Sequence, residues 1–300
     1  MARHGLVMID AIDNGKVVQT LGTVNNGYLI LATTSMEERA ASLCAISIKI
    51  NNPTAKVTLV VPDIQNVSKQ YEESFDLIFE LPFGYEYNTR RTNDWQLYWA
   101  TQYDNNIVID CYSIVKENQS NMWNYLIDNH DICFSKSPVD FRGISIVSNK
   151  KEYEDIVHLK SNMYFFKKND TAMAYFKLLD PFMQNWREGY KQLLEDKFIP
   201  ELYDSDLMHS SIVNRCCILD ELVPQYNSIL QSICMDEVTK QYINDKRVNK
   251  SWTEYLNTWV TSDTKLKIHN FAVIGTLYYS DNNFLTDEIY ESYEQYYVNN

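Results

Sequence analysis

The sequence predicts an α/β fold: a doubly wound, mostly parallel sheet followed by a helical C-terminal subregion. Two patterns carry this expectation. Over the first 135 residues, short apolar runs alternate with segments of helical period, the signature of strand–helix–strand units. Beyond residue 170 the order changes to helices, with Met173, Phe176, Leu179 and Met183 at helical spacing. A third feature locates a site. The β-branched run Ile107–Ile109 stops abruptly at Asp110, putting a carboxylate at the carboxyl edge of a buried sheet.

The elements follow in order. Asp13-Asn14-Gly15 reads as a hairpin turn in the lead-in. Tyr28–Ala32 is a buried strand, and Ser35 is placed to cap a helix whose apolar positions are Ala40, Leu43, Ala45, Ile46 and Ile48. Asn51-Asn52-Pro53 stops that helix, and Lys56–Val61 forms the next strand, a spacing that suits a right-handed parallel crossover. A helix near 67–74, a strand Leu77–Leu81, a helix over Trp95–Gln102 and the strand ending at Asp110 continue the alternation. Asn121–Asp128 reads as helical, Asp131–Phe134 as extended, and Gly143–Val147 and Asn162–Phe166 as strands. Helices are expected over 170–196, 204–219, 251–260 and 286–297, with a late strand at Lys265–Phe271. With no internal repeat or low-complexity linker, residues 1–300 read as one continuous domain with a helical C-terminal subregion.

Composition narrows the class. A net charge of −13 over 300 residues argues against nucleic-acid binding by the whole surface. A local basic groove remains open if Arg90-Arg91, Lys150-Lys151, Lys167-Lys168 and Lys246-Arg247 with Lys250 converge; otherwise they are solvated pairs on separate loops. No run reaches the roughly 18 apolar residues of a membrane span, and residues 1–20 lack the apolar block of a signal peptide. A soluble, cytoplasmic protein is expected. The six cysteines show no C-x-x-C spacing, which disfavours a zinc knuckle, and disulfides are not expected in that compartment. Abundant Asn, Tyr and Ile with eight glycines looks like the product of an AT-rich, phage-like genome.

No G-x-G-x-x-G, Walker loop, G-x-S-x-G elbow or H-E-x-x-H occurs. With glycine-cradled phosphate binding disfavoured, a strand-end carboxylate plus metal becomes the natural alternative for holding a nucleotide-linked substrate. Burying Asp110 unpaired would be costly, so it should hold a metal or a sugar hydroxyl.

Five segments, in order over roughly residues 27–279, resemble the glycogenin-like, family 8 glycosyltransferases. They are Gly27–Ser35 with the following helix and strand, Trp99–Tyr103 leading into Asn106–Asp110, Lys160–Phe166, Asp204-Ser205-Asp206, and Lys267–Phe271 with Gly275. The resemblance implies the two-layer, GT-A-like nucleotide-sugar transferase fold, a UDP-sugar donor, manganese or magnesium, and retention at the anomeric carbon. It also implies a nucleotide-binding half over 27–135, an acceptor and donor-sugar half with the C-terminal helices over 136–300, and residue roles. Ala32, Thr33 and Thr34 would line the uracil and ribose, Lys160 and Ser161 would border the donor, and Asn162, Asp204 and Asp206 would face the donor sugar. Asp110 and His269 would hold the metal.

Three departures stand out. The family's second D-x-D acid is Tyr112, which weakens the metal site; a weaker site, a metal-independent enzyme and a lapsed one all stay open. Asn162 replaces a glycine, and the histidine segment lacks its usual lysine–proline–tryptophan tail. His209 is the second histidine considered; His4, His130 and His158 read as incidental. Arg90 or Arg91 could steady a phosphate or an acceptor anion by bidentate bonds, although on an exposed loop they would be merely solvated.

The functional expectation is a glycosyltransferase moving a sugar from a UDP-sugar to a hydroxyl acceptor. On the phage-like composition that acceptor would be 5-hydroxymethylcytosine in double-stranded DNA, with the base flipped out and the enzyme in the host cytoplasm. Glycan and lipid-linked acceptors are alternatives, as is a nucleotide-sugar-binding protein that has lost transfer. A nucleotidylyltransferase is disfavoured because Thr33–Arg39 is not a glycine-rich basic loop.

Overall fold

The computed structural model describes residues 3–4, 26–85, 90–135, 139, 156–194, 199–216, 230, 232–235, 267–268, 271–272, 275–279, 285 and 287–299. The expected turn at Asp13–Gly15, strand at Gly143–Val147 and helix over 251–260 lie outside these residues.

The alternation read from the sequence is present. β1 (Arg3–His4) and β2 (Asn26–Leu31) precede α1 (Ser35–Asn51), β3 (Val57–Val61), the short α2 (Lys69–Glu72) and β4 (Leu77–Glu80). A 3-10 segment, Arg90–Tyr98, then leads to β5 (Asn105–Ile109), β6 (Ser113–Val115), α3 (Ser120–Asn129) and β7 (Ile132–Ser135). β8 (Lys160–Lys167) opens the second half, followed by α4 (Asp170–Gln184), α5 (Trp186–Leu194) and α6 (Ser205–Arg215). The described elements end with β9 (Ser232–Met235), β10 (Lys267–Ile268), β11 (Phe271–Ala272), β12 (Thr276–Tyr279) and α7 (Asp287–Asn299).

Among the described residues the main sheet has the order β1-β4-β3-β2-β5-β8-β7. The pairings from β1 to β5 are all parallel; β8 runs antiparallel to both β5 and β7. Parallel strands must be covered on both faces, and the side-chain alternation does this. Tyr28, Ile30, Ile107, Ile109 and Phe165 pack with α1, α3 and α7 on one face. Leu29, Leu31, Val108, Tyr164 and Phe166 pack with the 3-10 segment, α4, α5 and α6 on the other. A smaller sheet, β6-β12-β9, lies at the carboxyl end of β5, with β12 antiparallel to β6 and parallel to β9.

Several boundaries differ from expectation for local reasons. Thr34, not Ser35, caps α1: its hydroxyl accepts the Glu37 N–H at 3.2 Å. The expected helix over Trp95–Gln102 is instead a 3-10 segment that begins at Arg90. Trp95 and Tyr98 stand three apart, a spacing that serves both helix types. Residues 170–196 break at Asn185, the C-cap of α4, into two helices. Lys265–Phe271 is not one strand, since β10 and β11 pair antiparallel with each other. Among the described residues no helix is long and apolar enough to cross a membrane.

Candidate functional site

The chain leaves β2 for β3 and β4 on one side and returns through β5 on the other. A crevice therefore opens at the carboxyl ends of β2 and β5, where α/β sheets bind ligands. Ala32–Thr34 follows β2 there, and Asp110 follows β5. The Ala32 N–H still donates to the Val60 carbonyl at 3.0 Å, which fixes the strand end. Thr33 donates both its N–H and its hydroxyl to Glu37 Oε2, each at 2.8 Å.

Asp110 is fully buried, and both oxygens of its carboxylate accept N–H donors. Oδ2 accepts from Arg90 Nη2 at 3.0 Å and from Arg91 Nη2; Oδ1 accepts the Tyr112 N–H at 2.8 Å. Arg90 Nε donates to Glu37 Oε1 at 3.0 Å. Arg91 Nη1 donates to Asp94 Oδ2 at 3.2 Å and to the Ser161 carbonyl at 3.1 Å. Burial alone would raise the pKa of Asp110, but the two guanidiniums and the Tyr112 N–H outweigh it and bring it down to about 2. A buried carboxylate held this way is an anchor for cations.

The third part of the site comes from β8 and α6. The ladder between β7 and β8 jumps from Phe134–Tyr164 to Ser135–Lys160, so Ser161, Asn162 and Met163 form a bulge relative to β7. Bulges re-aim side chains, and here the Ser161 hydroxyl meets Asp206 of α6 while the Asn162 side chain meets Ser232 of β9. The Asn162 carbonyl accepts the Asp110 N–H at 2.8 Å, and Asn162 Nδ2 donates to Ser232 Oγ at 2.9 Å. Asn162 Oδ1 is buried and has no hydrogen-bond partner among the described residues. Asp206 accepts from Lys160 Nζ at 2.5 Å through Oδ2, and from the Ser161 N–H and hydroxyl at 2.7 Å through Oδ1. Opposed by burial, Lys160 and Ser161 still hold the Asp206 carboxyl below its usual range. Asp204 caps α6, accepting the Leu207 N–H at 3.0 Å.

These donors do not make the expected manganese or magnesium site. Hard divalent ions take several oxygen ligands. Here both Asp110 oxygens are committed to N–H donors, and the next acid position holds Tyr112, whose ring lies 5.7 Å from the Arg90 guanidinium. Among the described residues no three His, Cys, Asp or Glu side chains are grouped as a metal site. The described residues therefore do not fit the ion. His269 lies outside them. His209 is fully buried in the core, its Nδ1 2.7 Å from the Tyr175 hydroxyl and its Nε2 3.9 Å from Asp94 Oδ2.

The structure thus brings together Thr33, Asp110, Lys160, Ser161, Asn162 and Asp206, with Ala32 and Thr34 beside them. Glu37 and Asp94 were missed. Glu37 lies four residues after Thr33, one helical turn away, and that spacing was the available signal. Arg90 and Arg91, taken for an exposed pair, are largely buried in this network. Lys167 pairs with Asp131 at 3.5 Å and Lys168 donates to the Thr101 carbonyl at 2.7 Å, so the described basic pairs do not form one groove. Lys150, Lys151, Lys246, Arg247 and Lys250 lie outside the described residues. A cavity of about 450 Å³ among Phe83, Trp95, Trp99 and the α4 residues Lys177, Asp180 and Gln184 includes none of the network residues.

No protein-family model matches the chain, and no curated protein matches it significantly. Solved structures do. A galactosyltransferase, LgtC, in complex with donor and acceptor sugar analogues superposes with a TM-score of 0.52 at 8% identity, over 90% of this chain and 95% of that one. Mouse xyloside xylosyltransferase 1 gives 0.52 at 10% identity, over 87% and 99%. The bifunctional glycosyltransferase WbbM gives 0.50 at 12% identity, over 95% of this chain but 51% of that one. At these identities the likeness establishes the fold: a mixed α/β, GT-A-type architecture shared with glycosyltransferases.

Proposed function

We propose that this chain is a glycosyltransferase that moves a sugar from a UDP-sugar donor to a hydroxyl acceptor. One observation carries the reading. A continuous run of hydrogen bonds, Thr33–Glu37–Arg90–Asp110–Arg91–Ser161–Asp206–Lys160, joins the ends of β2, β5 and β8 across the switch-point crevice. Three functions separate along it. Ala32, Thr33 and Thr34 would border the uracil and ribose, Arg90 and Arg91 the diphosphate, and Asn162, Asp206 and Lys160 the sugar. Asn162 Oδ1, which no described residue partners, is an acceptor suited to a sugar hydroxyl, since leaving it unpaired costs free energy.

In the reaction, the bond between the anomeric carbon and the β-phosphate oxygen breaks, and its electron pair passes to that oxygen. The acceptor hydroxyl oxygen bonds to the anomeric carbon and its proton passes to the departing UDP. Retention of configuration follows from the family 8 resemblance. For the acceptor we propose 5-hydroxymethylcytosine in DNA, on the phage-like composition, with a glycan hydroxyl as the competing choice.

Tyr112 favours a second reading, a protein that binds nucleotide-sugar without transferring it. Incubation with a panel of UDP-sugars, with and without Mn²⁺, distinguishes the two. UDP release, with a hexose or pentose mass gain on hydroxymethylated DNA, is expected for the proposed transferase. Stabilisation by UDP with no release from any sugar supports the binder, and release without mass gain on DNA removes the DNA acceptor.

A further inference from the structure

We propose that the paired guanidiniums of Arg90 and Arg91 make, through their remaining N–H donors, the diphosphate contacts that the resembled family draws from a divalent ion, so that this chain binds and cleaves its donor without metal. The proposal rests on the UDP-sugar reading above and specifies how that site handles the diphosphate.

Four observations converge on it. First, both cations stand at the end of β5, each fixed by two carboxylates: Arg90 by Glu37 and Asp110, Arg91 by Asp94 and Asp110. Their planes are set before a ligand arrives, which reduces the ordering cost of binding. Second, Asp110 spends both oxygens on these arginines and on the Tyr112 N–H, so it acts as their positioning residue and not as a metal ligand. Third, the second acid of the D-x-D is replaced by Tyr112, whose ring lies beside Arg90 and offers no carboxylate. Fourth, a guanidinium has five N–H donors. Arg90 uses three on Glu37, Asp110 and the Leu31 carbonyl; Arg91 uses three on Asp94, Asp110 and the Ser161 carbonyl. Each keeps two that no described residue takes, and the side chains are 10% and 16% exposed.

Two such forks suit the oxygens of a diphosphate, which they bind bidentately and with full charge at any working pH. As the anomeric C–O bond breaks, the negative charge that gathers on the β-phosphate oxygen is met by fixed N–H donors of two guanidiniums whose own charge Glu37, Asp94 and Asp110 offset.

The test is calorimetric titration of the full-length chain with UDP, once in EDTA and once in excess Mn²⁺, paired with UDP release from the preferred UDP-sugar under both conditions. The expected result is equal affinity and equal release, within about twofold. Arg90→Ala and Arg91→Ala should each weaken UDP by about tenfold or more, and Arg91→Lys, which keeps charge but loses the fork, by less. UDP binding that appears only with Mn²⁺ overturns this proposal and leaves the donor reading standing. Absence of UDP binding in both conditions overturns the donor reading itself. The EDTA comparison uses the unaltered chain, so it stands even if an arginine variant fails to fold.

Discussion

Asp206 reaches back from the first turn of α6 to accept a 2.5 Å hydrogen bond from Lys160, while its other oxygen takes both donors of Ser161. One carboxylate thereby fixes the first two residues of β8, including the start of the bulge that carries Asn162. Asp206→Asn keeps the side-chain shape but removes the charge that holds Lys160. Release of UDP from the preferred UDP-sugar should fall about 100-fold, the scale of losing one aimed polar group. The ion pair is part exposed, so the cost in stability should stay near 1 kcal/mol. Single-turnover assays and thermal melts of the same preparation check both parts.

Asp204, two residues earlier, should behave differently. Its carboxylate caps α6, so Asp204→Ala should lower stability by about 1 kcal/mol, whereas Asp204→Asn, an equally good cap, should leave the melting temperature near that of the parent. Chemical denaturation of the two variants separates the capping role from a charge effect at the site.

Asp110 makes a prediction in acid. Its folded pKa, about 2, lies below the ordinary carboxylate value of 3.8. A depressed folded pKa means that its contribution is fully present above about pH 5 and is lost as pH falls toward 2. The amount is about 2 kcal/mol. Asp110→Asn should lack this acid-sensitive component. It should also be less stable at neutral pH by about 3–5 kcal/mol, because Arg90 and Arg91 lose the carboxylate they share. Urea midpoints measured from pH 7 to pH 2 on parent and variant give both quantities.

These residues also show how far the sequence could be read. The strand ends at Ala32 and Asp110 were legible because alternation and an abrupt stop are local signals. So were α1, β3, β8 and α6. What joins Asp110 to Arg90, Arg91 and Glu37 was not legible. Those contacts depend on how the 3-10 segment and the first turn of α1 pack at the sheet edge, and an Arg-Arg pair reads as solvated unless a buried acid is known to face it. The small sheet was hidden for a related reason. β6 finds β12 more than 160 residues later in the chain, and no spacing rule connects the two. Tyr112 was recognised as a departure, but its consequence needed geometry: only the structure puts its ring beside Arg90.

Tyr112→Asp places an acid where the resembled family has the second of its D-x-D and provides a probe of the charge balance. The substitution loses the edge contact with Tyr279, 5.7 Å between ring centroids, at a cost of about 1 kcal/mol. It also adds a carboxylate two residues from Asp110. Mn²⁺ alone should leave the melting temperature of variant and parent alike unmoved, because Asp110 stays committed to Arg90 and Arg91 and one added carboxylate is too few for a hard ion. Thermal melts across a Mn²⁺ series, with Mg²⁺ and EDTA controls, report this without any activity assay.

Gly27 supplies the last prediction, on the strand that leads to Ala32. A Cβ there would lie 2.1–2.4 Å from ring atoms of Tyr103, far inside van der Waals contact. Tyr103 cannot swing away cheaply: it is fully buried, and its hydroxyl is hydrogen-bonded to Thr58 Oγ1 at 2.8 Å. Gly27→Ala must therefore displace the ring or the strand, at about 1–3 kcal/mol. Because Gly27 pairs with Asn106 on β5, a shift in β2 also disturbs the alignment of Thr33 with Asp110. Tyr103→Leu removes the obstructing ring at its own cost in cavity and hydrogen bond. The double variant should then be more stable than the sum of the single effects, a coupling of 1 kcal/mol or so that a double-mutant cycle measures. If the two substitutions simply add, the close approach of Gly27 to Tyr103 is not what makes glycine necessary at this position.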